Sequence, residues 1–215
     1  MGQDTKVKIC GLRRPEDVAA AVDAGASYIG FVFFQKSPRN ISVESAAALA
    51  VTAPAGVAKV GLVVNANNTD LDRITGNVPL DMLQLHGAEP TARVSEIKER
   101  YGLPVMKAVG ISDAEDLAAL TEYGHVADQI LVDAKPPRKS ELPGGNGLSF
   151  DWRLMTGRSW PVPWMLAGGL TCENAAEAIR LTGATQVDVS SGVEIERGVK
   201  DADLIRRFVA AARRD

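Results

Sequence analysis

The chain has 215 residues, a length that predicts one domain with a core large enough to fold without disulfides or a structural metal. Hydrophobic residues make up 46% and charged residues 24% of the sequence, which excludes disordered, collagen-like and coiled-coil proteins. The net charge of -3 argues against a general nucleic-acid-binding protein, which would carry a basic surface.

The sequence contains no apolar run of about 18 residues and no apolar segment near its beginning. It therefore predicts neither a membrane span nor a signal peptide. Its two cysteines, Cys10 and Cys172, are too few for a disulfide framework. We expect both to be reduced thiols in a cytoplasmic protein.

Short β-branched apolar segments alternate with longer segments of helical periodicity along the chain. Strands are predicted at 6–10, 28–33, 57–63, 82–85, 105–109, 129–132, 163–167 and 186–189. Helices are predicted near 15–24, 43–53, 69–75, 91–101, 113–122, 150–156, 173–182 and 201–213. Nearly continuous apolar strands between amphipathic helices are typical of a parallel sheet covered by helices.

Eight such units in this length give about 27 residues each, which is compact but sufficient for a strand–helix unit. A doubly wound, Rossmann-like sheet is the alternative, and it usually has a glycine-rich turn after the first strand. Here that turn contains only Gly11, and the glycines collect after strands six, seven and eight. The predicted fold is therefore an α/β, (βα)8 TIM barrel of eight parallel strands with outer helices, forming a single domain over residues 1–215.

The longest segment without helical or strand periodicity is 134–147, which has three prolines and three glycines. Loops of more than about 12 residues usually have a function or are disordered. In a barrel this segment leaves the C-terminal face of strand six, so we expect it to be a lid over the site.

Reactive side chains of TIM barrels lie at the C-terminal ends of the strands. This rule selects Cys10, Arg39, Gln84, His86, Asp133 and Asp188. Purely structural interpretations exist as well: Cys10 as a small buried apolar residue and Asp133 as a turn or cap residue. Arg39 could be a solvated loop charge and His86 a structural histidine. Because Leu85 separates Gln84 from His86, these two share one face of the strand, and we expect them to point inward.

Glycine-rich segments follow the last predicted strands and suggest a phosphate site. Gly168 and Gly169 lie between strand seven and a helix expected to begin near Thr171, where free backbone N–H groups bind anions. A second such segment follows strand eight, in the paired position where TIM barrels hold phosphate. The candidate phosphate-binding residues are Gly145, Gly147, Gly168, Gly169, Ser190, Ser191 and Gly192.

Other chemistries lack a sequence signal. His86 and His125 are too far apart for a zinc motif, and no nucleotide-binding P-loop or serine-hydrolase elbow is present. Lys107 is the nearest candidate for a Schiff-base lysine, in the middle of strand five. We therefore expect neither a metal nor a cofactor. The alternatives left open are a phosphosugar lyase or synthase and a non-catalytic phosphosugar-binding protein.

Seven segments occur in order from the first strand to the last: KICGL at 8–12, GFVF and KSPR within 30–39, LQLHG at 83–87, LVD at 131–133, LAGGL at 166–170 and DVSSGVE at 188–194. In this combination the whole chain resembles the phosphoribosylanthranilate isomerase family. The resemblance implies an aldose–ketose isomerase of tryptophan biosynthesis. Its reaction would be the Amadori rearrangement of N-(5-phosphoribosyl)anthranilate to 1-(2-carboxyphenylamino)-1-deoxyribulose 5-phosphate.

The resemblance also implies roles for individual residues. Cys10 would be the general base, Asp133 the general acid, and Arg39 would bind the anthranilate carboxylate. The remaining expected substrate-binding residues are Gln84, His86 and Asp188. The expected partner is a small phosphorylated substrate, with no nucleic acid and no membrane; we expect a monomer, with a homodimer as the alternative.

Overall fold

The computed structural model describes residues 5–135 and 142–213. Its central feature is a closed barrel of parallel strands that follow one another in chain order. They are β1 (Lys6–Cys10), β2 (Tyr28–Phe33), β3 (Ala58–Val63), β4 (Met82–Leu85), β5 (Val105–Ile111), β6 (Gln129–Ala134), β7 (Trp164–Leu166) and β8 (Gln186–Val189). Because β1 pairs with both β2 and β8, the barrel has no free edge, and the predicted fold class is confirmed.

Helices cover the outside of the barrel. They are α1 (Pro15–Asp23), α2 (Val43–Ala50), α3 (Asn68–Asn77), α4 (Thr91–Tyr101), α5 (Leu117–Gly124), α6 (Ala175–Thr182) and α7 (Ala202–Ala212). Three begin at a side-chain cap: Ser42, Asn67 and Asp201 accept hydrogen bonds from backbone N–H groups of the first turn. Such caps satisfy donors that the helix itself leaves free. Among the described residues, no helix is both long and apolar enough to cross a membrane.

Three predicted helices differ from what is observed. The one expected at 113–122 begins with a 3-10 turn, Ala114–Asp116, before α5. The one expected at 150–156 is a single 3-10 turn, Trp152–Met155, because Gly157 takes a left-handed conformation and prolines follow at 161 and 163. The one expected from Thr171 begins at Ala175 instead. Residues 171–174 form a turn, in which the Asn174 side chain accepts a hydrogen bond from the Thr171 N–H at 2.8 Å.

The structure also contains a short hairpin that the sequence did not predict. Its strands are β9 (Glu194–Glu196) and β10 (Val199–Lys200), which pair antiparallel just after β8. This hairpin lies beside the C-terminal end of the barrel. It packs so closely against the loop after β2 that a Cβ atom at Gly198 would lie 2.6 Å from the Pro38 carbonyl oxygen.

Alternation along the strands separates two layers of packing. Outward-facing residues of β1, such as Val7 and Ile9, belong to the apolar core between barrel and helices. The barrel interior holds a smaller apolar cluster formed by Met106, Ala108, Leu131, Met165 and Ala167. The inward positions of β1 are instead Lys8 and Cys10, both buried. Polar side chains of β1 therefore lie inside the barrel, below its C-terminal rim.

Candidate active site

A cleft of ≈ 780 Å³, counted to its open rim, lies at the C-terminal end of the barrel. The expected site residues in its wall are Cys10, Arg39, His86, Asp133, Gly145, Gly147, Gly168, Gly169, Asp188, Ser190 and Ser191. The two others lie directly behind this wall: Gln84 contacts His86, and Gly192 packs against the Leu170 carbonyl. Part of the expected lid at 134–147, residues 136–141, lies outside the described residues. Residues 142–147 line the cleft.

Cys10 ends β1 with its sulfur in the cleft wall. The neighbouring residue on β2 is Gly30, where a Cβ atom would lie only 3.0 Å from the sulfur. Glycine at this position therefore makes room for the thiol. Burial raises the pKa of the Cys10 thiol above its ordinary value, and the positive charge of Lys8 acts in the opposite direction.

Asp133 lies on the other side of the barrel, near the end of β6, and its two oxygens have different surroundings. Oδ1 accepts a hydrogen bond from the Ala134 N–H at 2.8 Å. Oδ2 lies 3.3 Å from Nε2 of His86. One oxygen is thus fixed by the backbone, and the other is placed against a side chain of the cleft wall.

His86 is oriented from below by Gln84, whose amide nitrogen lies 2.9 Å from Nδ1. With the amide in this orientation its nitrogen donates, so Nδ1 accepts and Nε2 carries the proton that faces Asp133. The reversed amide would place its N–H groups where Oε1 has no partner among the described residues. Gln84 itself is fully buried, so within this structure it contacts the cleft only through His86.

Arg39 lies in the loop after β2 and is almost completely buried. Its Nε and Nη2 donate to the two carboxylate oxygens of Glu194, at 2.7 and 2.8 Å. Glu194 also pairs with Lys200 at 2.8 Å. Burial favours the neutral acid, but the Arg39 hydrogen bonds and the Lys200 charge outweigh it and lower the pKa of Glu194 to about 2. The third nitrogen, Nη1, faces the loop at Gly145.

The glycine-rich loops after β6, β7 and β8 meet at one side of the rim, as expected. A Cβ atom at Gly169 would lie 2.9 Å from the Leu148 carbonyl, and one at Gly147 would lie 3.7 Å from the Ser191 hydroxyl. Gly168 and Gly169 have φ angles of 83° and 66°, which glycine adopts readily. The expected helix N-terminus at Thr171 is wrong, because the Thr171 N–H is already bound by Asn174 and α6 begins later.

Comparison with known proteins agrees with this geometry. A family model described as N-(5'-phosphoribosyl)anthranilate (PRA) isomerase matches residues 7–211. The N-(5'-phosphoribosyl)anthranilate isomerase of Paracoccus denitrificans is 63% identical over 206 residues, which cover 96% of each chain. That of Cereibacter sphaeroides is 62% identical over 208 residues, covering 97% of this chain and 98% of its own.

The chain belongs to the N-(5'-phosphoribosyl)anthranilate isomerase family. Solved structures of this family have the same fold: the enzyme from Thermotoga maritima superposes with a TM-score of 0.85 at 38% identity, covering 97% of this chain and 98% of that one. Another phosphoribosyl anthranilate isomerase, 37% identical with a TM-score of 0.82 and the same coverage, was solved in complex with reduced 1-(o-carboxyphenylamino)-1-deoxyribulose 5-phosphate. The predicted family and isomerase class are confirmed over a lyase or a binding protein.

Three buried charged residues near the cleft were not selected in the sequence analysis: Lys8, Glu194 and Lys200. Lys8 pairs with Asp188 at 2.8 Å inside the barrel. Glu194 and Lys200, both on the hairpin β9–β10, pair with each other next to Arg39. The signal was partly present, since Lys8 and Glu194 stand inside the segments that carry the family resemblance. Their burial and pairing, however, appear only in three dimensions.

Proposed function

We propose that this chain converts N-(5-phosphoribosyl)anthranilate to 1-(2-carboxyphenylamino)-1-deoxyribulose 5-phosphate, with Asp133 and Cys10 dividing the proton transfers. The observation that supports this most strongly is their placement in one cleft, at the ends of β6 and β1. An acid and a base on separate strands leave room for a ribose between them. Glycine-rich loops at the same rim supply a place for the phosphate.

The first step opens the furanose ring. Asp133, as a carboxylic acid, gives its proton to the ring oxygen while the bond from C1 to that oxygen breaks. The electron pair of the anthranilate nitrogen forms the C1=N bond. The Nε2–H group of His86 faces the Asp133 oxygen at 3.3 Å and stabilises the carboxylate that this step leaves behind.

The second step removes the proton at C2, which the iminium makes acidic. The Cys10 thiolate takes this proton: an S–H bond forms and the C2–H bond breaks. Its electron pair becomes the C1=C2 bond, and the C1=N pair returns to nitrogen. The resulting enolamine tautomerises to the ketone product, so the reaction consumes no reductant or oxidant.

Two charged ends fix the substrate between acid and base. Nη1 of Arg39 binds the anthranilate carboxylate, while Glu194 holds the opposite edge of the guanidinium. Asp188 accepts a hydrogen bond from a ribose hydroxyl, and Gln84 acts through His86. The phosphate is bound by Gly145, Gly147, Gly168, Gly169, Ser190, Ser191 and Gly192.

The chain is proposed to work as one catalytic domain over residues 1–215, as a monomer, with a homodimer as the alternative. The proposed base requires a free thiol, and both cysteines are unpaired. A free thiol as base fits the reducing cytoplasm.

The fluorescence of anthranilate in a coupled assay tests this function. The purified protein should make the signal of N-(5-phosphoribosyl)anthranilate decay at a rate proportional to enzyme concentration. Folded protein that binds the substrate without any decay would contradict the proposal and favour a phosphosugar-binding protein.

A further inference from the structure

Lys8 is a fully buried lysine inside the barrel, one of the largest fully buried side chains. Its ammonium lies 2.8 Å from Oδ1 of Asp188, the residue opposite it in the β1–β8 pairing. Burying an ion pair costs several kcal/mol per charge before the pairing offsets it, so an apolar pair would serve packing equally well. The position of this pair, directly below the cleft, calls for another explanation.

The Lys8 side chain also borders the Cys10 side chain. Lys8 and Cys10 alternate on β1 and face the barrel interior together. A Cβ atom at Gly30 would lie 3.0 Å from the sulfur and 3.4 Å from Cε of Lys8, so both side chains border the space that this glycine leaves. The two side chains are therefore neighbours inside the barrel.

Charged groups on three strands act electrostatically on the Cys10 thiol: Lys8 on β1, Asp188 on β8 and Lys200 on β10. Burial raises the pKa of the thiol; Lys8 lowers it, and by more than Asp188 raises it. Lys200 also lowers it, but its ammonium is bound to Glu194 and to the Ser190 carbonyl, each at 2.8 Å. Burial lowers the pKa of Lys8, but Asp188 and Cys10 outweigh it, so Lys8 stays charged.

We propose that Lys8 is a positioning residue of the proton-abstraction step: its ammonium, held by Asp188, stabilises the anionic sulfur of Cys10. This inference rests on the proposed role of Cys10 as the base. It assigns the buried ion pair a function in the reaction rather than in folding. The thiolate forms next to a fixed positive charge, and when it takes the C2 proton the sulfur becomes neutral beside the same pair.

Alkylation of the thiol measures this effect without substrate. In a Cys172→Ala background Cys10 is the one cysteine left, and the pH dependence of its reaction with iodoacetamide reports its thiolate. Lys8→Met keeps an unbranched side chain, one atom shorter, and removes the charge. In this variant we expect the midpoint of the pH dependence of alkylation to rise by about one pH unit. The rate of alkylation at neutral pH should fall about tenfold. Lys6→Met, an exposed lysine on the same strand, is the matched control and should change neither.

A second variant separates the charge of Lys8 from the unpaired Asp188 that Lys8→Met leaves behind. Lys8→Met with Asp188→Asn removes both charges and avoids a buried carboxylate without a partner. Because Lys8 has the larger effect on the thiol, the midpoint should still lie above that of the parent. A midpoint equal to the parent or below it would overturn the proposal.

The folded parent offers a measurement that needs no charge-removing variant. In a protein with labelled lysines, the Cε resonance of Lys8 should titrate with the thiol midpoint found by alkylation and should lose this titration in Cys10→Ala. A resonance of Lys8 that does not respond at that midpoint would contradict the proposal.

Turnover then separates this inference from the proposed function. Lys8→Met should lower kcat at neutral pH about tenfold and move the pH–rate profile with the thiol midpoint, which a purely structural role would not do. If Cys10→Ala keeps its kcat, the role of Cys10 fails, and with it the catalytic use of Lys8. If Cys10→Ala is inactive but Lys8→Met leaves the thiol midpoint unchanged, only the role of Lys8 is overturned.

Discussion

Asp133 combines a fixed position with a free face. The Ala134 N–H holds Oδ1, His86 faces Oδ2, and the side chain still lines the cleft. A general acid needs this combination, because its proton must point at the ring oxygen throughout the step. The proposed role of Asp133 as the acid uses this arrangement, and a turn residue would not need to line the cleft.

Asp133→Asn keeps the shape of the side chain but has no proton to transfer. We expect kcat to fall about 10²–10⁴-fold, the usual contribution of general acid catalysis. The remaining activity of Asp133→Asn should rise with pH to a plateau, because only the thiol must then ionise. A variant as active as the parent at neutral pH would exclude Asp133 as the acid.

Glu194 is the counterion of two buried cations next to the cleft, Arg39 and Lys200. Arg39 and Lys200 both bind it, and its pKa lies at about 2 instead of the ordinary 4.5. A pKa lowered by folding stabilises the protein above the unfolded value and loses that contribution as the pH falls. The stabilisation by Glu194 should therefore be complete above about pH 4.5 and disappear towards pH 2.

Glu194→Gln tests this balance of charges. At neutral pH it should lower the free energy of unfolding by about 3–5 kcal/mol, because Arg39 and Lys200 lose their buried counterion. Between pH 4.5 and 2 the variant should lose less stability than the parent. Denaturant unfolding at several pH values measures both effects, with the exposed Glu196→Gln of the same hairpin as control. Equal pH dependence in parent and Glu194→Gln would contradict this account.

At the scale of elements, the strands were predicted most closely because each is a short apolar run that the barrel buries. β5 and β6 extend two residues beyond their predicted ends, where Gly110 pairs with Asp133 and Ile111 with Ala134. That extension depends on the neighbouring strand and leaves no local pattern. The hairpin β9–β10 was missed for a similar reason, since strands of three and two residues are too short to alternate recognisably.

The loops at the rim show what a single change should do to phosphate binding. Ser191 lines the cleft next to Gly147, so Ser191→Ala removes a hydroxyl without straining a glycine. We expect KM for the phosphorylated substrate to rise about ten- to hundredfold, the loss of one hydrogen bond to a charged group. KM for the dephosphorylated substrate should not change, and it serves as the control. An equal rise for both substrates would place the phosphate elsewhere.

For the molecule as a whole, the position of reactive residues at strand ends of TIM barrels predicted the residues that line the cleft. It did not predict the buried charged residues Lys8, Glu194 and Lys200. Lys8 and Asp188 are 180 residues apart in the chain and meet only because β1 pairs with β8 to close the barrel. The sequence alone does not show whether a lysine is buried or exposed to solvent. Closure of the barrel thus brings Lys8 and Asp188 together below the cleft.

The central claim is that Cys10 removes the C2 proton while Asp133, on the far side of the barrel mouth, supplies one to the ring oxygen. The most direct test is kcat of Cys10→Ala in the anthranilate fluorescence assay, with Cys172→Ala as the matched control. The account predicts a loss of about 10²–10⁴-fold in kcat for Cys10→Ala with KM nearly unchanged, and parent kinetics for Cys172→Ala. A Cys10→Ala enzyme that retains most of its kcat would contradict it.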